Sequence, residues 1–138
     1  MSNIYCNTVA SYLTDLSATN AICQALGTTL KYSTNLFVGF QPSVDRNTIT
    51  LVPTGGTSPE NDKLRQNPSF QIMLKINSRE KSLTVSQALI NTLHGNMLNG
   101  VGHGRISANQ SAPFVIGILE GGEWIVSTIN FNAKHVRV

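Results

Sequence analysis

Residues 51–74, LVPTGGTSPENDKLRQNPSFQIML, hold a glycine pair that could grip an anion after a strand-like run. A phosphate cradle needs backbone N–H groups converging on the ligand and, as a rule, a lysine just ahead of a helix. Here Gly56 is followed by Thr57-Ser58-Pro59-Glu60, and no helical periodicity begins until after residue 77. Pro59 removes a donor and Glu60 repels phosphate. The pair therefore reads as a bend, where glycine takes backbone conformations closed to other residues.

The other reactive side chains are scattered. His94 and His103 flank a glycine-rich stretch without a Cys, Asp or Glu at ligand spacing, and His135 sits in the basic run Lys134-His135-Val136-Arg137. Of the seven carboxylates, Glu120 and Glu123 flank one tight turn, which suits a solvated hairpin tip better than an acid–base pair. No serine stands in a Gly-x-Ser-x-Gly elbow. Cys6 and Cys23 fall on the apolar faces of helical pattern, as buried free thiols do. These residues announce no active site, metal or cofactor, and the chain is expected not to be an enzyme. The cations Lys63, Arg65, Lys75, Arg79 and Lys81 fall close together in sequence, so a shared positive surface is a candidate. No aromatic residue interleaves with them as a base-stacking platform would require.

Residues 3–26 are helical in pattern, with Val9, Tyr12, Leu13 and Leu16 on one face. Residues 17–20 are of capping type and predict a kink or two short helices, with Gly27 as the stop. LFVGF (36–40) is strand-like, QPSVDRN follows as a turn, and TITLV (48–52) alternates as a half-buried strand does. From 69 to 77, Phe70, Ile72, Leu74 and Ile76 take one side, and Gln71, Met73, Lys75 and Asn77 the other. The period then changes: Val85, Ala88, Leu89 and Leu93 mark a helical face, capped by Ser78, Ser82 or Thr84 and stopped near Gly95. PFVIGIL (113–119) and EWIVSTINF (123–131) are joined by a glycine pair, the mark of a hairpin. The expected fold class is α+β: one domain over 1–138, with a single antiparallel or mixed sheet of about five strands and two main helices packed on one face.

Composition bounds the partners. Only 12% of the 138 residues are charged, about half the usual share, while 13 Ser, 13 Thr and 14 Asn fill the gap. Neutral polar groups avoid the desolvation cost of charges at contacts, which suits a surface covered by neighbours. A net charge of +3 permits contact with nucleic acid without implying it. No run reaches the length of a membrane span, so a soluble, cytoplasmically made protein is expected.

TNLFVGFQP (34–42), NTITLVPTGG (47–56), NPSFQIMLKINS (67–78), a helix ending in TLHG and the closing SAPFVIGILEGGEWIVSTINF (111–131) follow one another in an order with a counterpart. That order resembles the small phage minor capsid or tail-completion proteins, similar in fold to the tail-terminator proteins of long-tailed bacteriophages. The resemblance covers residues 27–131, and the TGG after the second strand is its most recognisable feature. Residues 28–34 and the connection GNMLNGVGHGRISANQ match no motif.

The resemblance implies a virion structural protein without catalysis. Such proteins form a ring, typically of six copies, that caps the tail tube and faces the head connector. Double-stranded DNA passes through the lumen without sequence-specific contact. On this chain, Thr54, Gly55 and Gly56 would begin an extended subunit-contact arm over 54–67, continued by Thr57, Ser58, Glu60 and Asp62. A second contact loop would be 95–104, and Lys63, Arg65, Lys75, Arg79 and Lys81 would line the lumen. The expected location is the neck of the virion, after assembly in the host cytoplasm. The close alternative is a head-completion or connector protein one layer nearer the capsid. A small nucleic-acid-binding module is the alternative of another class, and it would show DNA affinity that falls steeply with salt.

Overall fold

The structure is a computed structural model that describes residues 2–39, 46–54, 65–66, 69–95, 106–109, 114–119, 124–133 and 135–136. Among the described residues, three helices, α1 (Ser2–Thr14), α2 (Ala21–Leu26) and α3 (Arg79–Leu93), accompany eight strands. These are β1 (Leu36–Val38), β2 (Thr48–Pro53), β3 (Arg65–Gln66), β4 (Ser69–Ile76), β5 (Ile106–Ala108), β6 (Phe114–Leu119), β7 (Trp124–Ala133) and β8 (His135–Val136). The main sheet runs β1-β2-β4-β7, and the far side of β7 carries β6 and β5 end to end. It is a mixed sheet in an α+β fold: β1 is parallel to β2, and every other pairing is antiparallel.

The alternation in β4 sets the core. Phe70, Ile72, Leu74 and Ile76 are all buried, and the register places Ile72 between Leu51 of β2 and Ile129 of β7. Cys6, Val9, Ala10 and Leu13 of α1, Ile22 and Leu26 of α2, and Val85, Leu89 and Leu93 of α3 join these strand residues in one apolar cluster. Each fully buried Leu, Ile or Phe contributes about 1.5–3 kcal/mol over exposure. One polar pair sits inside this face, where the Ser82 and Ser127 hydroxyls meet at 3.1 Å and tie α3 to β7.

Caps fix the helices where the sequence punctuates them. Asn20 Oδ1 accepts from the Ile22 N–H at 2.9 Å to start α2, and Gly27 stops it at φ 89°. Of the three cap candidates for α3, Ser78 holds the position: its hydroxyl accepts from the Lys81 N–H at 3.3 Å. Thr84 instead donates to the Glu80 carbonyl within the helix. Gly95, at φ 82°, turns the chain out of α3 and gives its N–H to the Ile106 carbonyl of β5 at 2.7 Å.

Both cysteines are free and buried. Burial pushes the Cys6 thiol up to about 11 from its ordinary 9.0, because the thiolate would lose its hydration. The neutral thiol is the form that fits the core. Stability is therefore expected to hold below pH 9 and to fall as pH rises from about 9 to about 11, where the unfolded chain ionises first. At pH 8 a thiol reagent is expected to label Cys6 and Cys23 only after denaturant is added. Rapid labelling of the native protein would contradict their burial.

Candidate interaction surfaces

The described chain ahead of the proposed arm ends in a clamp. β2 ends at Pro53 opposite Phe70, and the next pair outward is Thr54 and Ser69. The Thr54 N–H donates to the Ser69 carbonyl at 3.1 Å, and the two hydroxyls share a hydrogen bond. The chain between them, 55–68, thus leaves and re-enters the sheet at one point. Gly55, Gly56, Thr57, Ser58, Glu60, Asp62 and Lys63 lie outside the described residues, as does most of 95–104.

The returning limb is tied to a later part of the chain. Arg65 pairs with Val136 and Gln66 with His135. Ser69, three residues after Gln66, pairs with Asn132, three residues before His135. The β3–β8 pair therefore keeps the offset of the β4–β7 ladder, as a two-stranded ribbon continuing past the end of the main sheet.

The five cations do not form one patch. Arg65 precedes β4 and Arg79 follows it, and an eight-residue strand spans about 26 Å. Arg79 is exposed at the start of α3. Lys81 is half-buried, its Nζ 3.5 Å from the Leu26 carbonyl, where a cation complements the end of α2. Lys75 corrects the expectation of a solvent-facing strand lysine: it is 3% exposed, with Nζ 5.1 Å from the centroid of the Trp124 ring. A cation over an indole face is attracted by the ring's negative potential.

Lys75 belongs to the sheet face turned away from the helices, and that face is covered as well. Thr48, Thr50, Val126 and Thr128 are buried beside it, and Gln71 and Met73 are half-buried. The Thr48 and Thr50 hydroxyls and the Trp124 indole N–H have no hydrogen-bond partner among the described residues.

His94 serves the backbone. His94 Nδ1 accepts the Ala108 N–H at 3.0 Å, linking the end of α3 to β5. His135 stands in β8, and His103 lies outside the described residues. Among the described residues no group of His, Cys, Asp and Glu could hold a metal ion, and no helix is long and apolar enough to cross a membrane.

The segment without a motif, 28–34, leads into a built turn at the β1 edge. The Lys31 carbonyl accepts from the N–H groups of Thr34, Asn35 and Leu36 at 3.3, 3.2 and 3.1 Å. The buried Asn35 side chain accepts from the Lys31 N–H at 2.7 Å and donates to the Thr29 carbonyl at 3.0 Å. Ser33 takes φ 62°, uncommon for a residue with a side chain. Arg46 reaches back to the Thr34 and Ser33 carbonyls. The one local signal for this turn is Asn35, whose side chain bonds the backbone of Lys31 and Thr29.

A family model described as bacteriophage tail terminator protein matches residues 19–137. No curated protein matches the chain.

Proposed function

The chain belongs to the bacteriophage tail terminator family, and from that premise we propose that it forms a ring, probed first as a hexamer, on the end of the tail tube. The family gives the coarse role, a structural protein of the virion tail. The ring, the cap on the tube, the surface offered to the head connector and the lumen crossed by DNA are the proposal, with assembly in the host cytoplasm.

The observation that carries this reading is the reach of the match, which takes in the whole sheet, α2 and α3. The clamp at Thr54 and Ser69 supports the arm, because it lets 55–68 engage a neighbour without loosening the β2–β4 ladder. Closed rings use two different patches per copy, one meeting the other on the next subunit. Thr54, Gly55, Gly56, Thr57, Ser58, Glu60 and Asp62 are the proposed arm contacts. Lys63 with Arg65, and separately Arg79 with Lys81, are the proposed positions facing DNA. Lys75 is withdrawn from that set by its burial.

Co-sedimentation with tail tubes of the same virus tests this reading. Bound protein is expected to saturate at about one ring per tube, whatever the tube length. Binding that grows with tube length would describe a wall protein and overturn the assignment to an end.

A further inference from the structure

The two edges of the main sheet are finished in opposite ways. At the β1 edge, the bonds from Ile49 N–H to the Asn35 carbonyl and from Gly39 N–H to the Leu51 carbonyl, both 2.8 Å, face β2. Leu36, which points the other way, spends its N–H on the Lys31 carbonyl and its carbonyl on the Ser33 N–H. Of β1, only Val38 still offers outward backbone groups. This edge is closed by its own turn. The turn lifts Tyr32 to 48% exposure, and Tyr32 and Leu83 are the large exposed apolar side chains among the described residues. The Tyr32 hydroxyl rests 3.3 Å from the Ser11 hydroxyl of α1.

At the opposite edge, β6 pairs with β7, and among the described residues no strand lies along its other side. Proteins blunt such edges with lysine, proline or a bulge. The sequence FVIGIL of β6 has no charge and no proline, and its one such device is a bulge between Val115 and Gly117. An apolar strand edge left this way is suited to being covered in an assembly.

We propose that the turn at 31–35, with Tyr32 as its anchor, docks against the β6 edge of a second copy of this chain. This rests on the ring reading and supplies its two patches. β1 and β6 stand four strand spacings apart, about 19 Å, at opposite ends of one sheet. Contacts at opposite ends run head to tail, the arrangement that generates rings. Charge agrees: Lys31 and Arg46 are exposed at the β1 end, and the sequence that joins β6 to β7 carries two carboxylates, Glu120 and Glu123, and no cation. The turn is held by Asn35 and Arg46 before any partner arrives, so little ordering entropy is lost on docking.

The test pairs two measurements on the full chain. Thr34→Cys and Ile116→Cys, combined in one protein and treated with a short bismaleimide, are expected to give a ladder of linked copies ending at the ring size. Each single variant is expected to run as one copy, because Cys6 and Cys23 are buried. Tyr32→Ala is expected to lower the ring fraction at least about tenfold at fixed concentration, a central aromatic anchor being a large share of a contact. Its melting temperature as a monomer should stay close to the parent's. Rings that form at full yield in Tyr32→Ala, with no ladder in the double variant, would overturn this docking and leave the ring standing. Failure of the parent chain to form rings, alone or on tubes, would remove both.

Discussion

Replacing Phe131 by alanine is expected to cost about 3–5 kcal/mol, the usual loss for a buried phenylalanine. Phe131 is fully buried and pairs in register with Phe70, the ring centroids 5.1 Å apart and the planes 10° from parallel. Such stacking adds about 0.5–1.5 kcal/mol beyond the area buried. The same residue faces Ala108 across the other side of β7, so one side chain helps hold three strands, β4, β7 and β5. A small domain carries about 5–15 kcal/mol in all, so the variant should sit near the edge of folding. Urea unfolding measures this directly, with Leu83→Ala as the control. Leu83 is 49% exposed on α3, and its truncation should stay within about 0.5 kcal/mol. A Phe131→Ala loss below about 1 kcal/mol would mean that the helix-facing side of β4 and β7 is not the core.

Replacing residues 56–63 by an Asn-Gly turn is expected to separate assembly from folding. The β2–β4 ladder is complete at Pro53 and Phe70, and the Thr54–Ser69 clamp closes it without help from the arm. Arg65 and Gln66 stay in place to pair with β8. The melting temperature should therefore shift by only a few degrees, which for a domain of this size corresponds to less than about 1 kcal/mol. Affinity for tube ends should fall about 100-fold or more, equivalent to about 2.7 kcal/mol, the scale of a lost hot spot. A collapse in stability with no separate loss of binding would make the segment part of the fold instead of an arm. The two variants thus bracket the molecule: one removes the core and should take everything with it, the other should remove function alone.

Much of this division was legible in the residues. The period of two in 69–76 placed Phe70, Ile72, Leu74 and Ile76 in the core, because a strand next to a helix layer must bury alternate positions. The break at 17–20 marked the end of one helix and the start of another, since Asn20 caps better than it propagates. What a local pattern does not carry is pairing partner and direction. QPSVDRN reads as a turn, yet β1 runs parallel to β2, and nothing in either strand encodes that. Alternation placed Lys75 opposite the core side but could not say that this second face is covered too. The five cations were neighbours in sequence, and the length of β4 puts Arg65 and Arg79 at its two ends. The β3–β8 ribbon was invisible, because two residues hold no period and their register comes from the ladder beside them. The closed β1 edge depends on Arg46 reaching back to Ser33 and Thr34, a contact across the turn that spacing does not announce.

The most direct measurement of the central claim is electron microscopy of the purified protein mixed with tail tubes of the same virus. The account predicts a ring seated on one end of each tube, with a continuous lumen and the tube wall otherwise bare. Tubes with both ends open at saturating protein, or protein distributed along the wall, would contradict it.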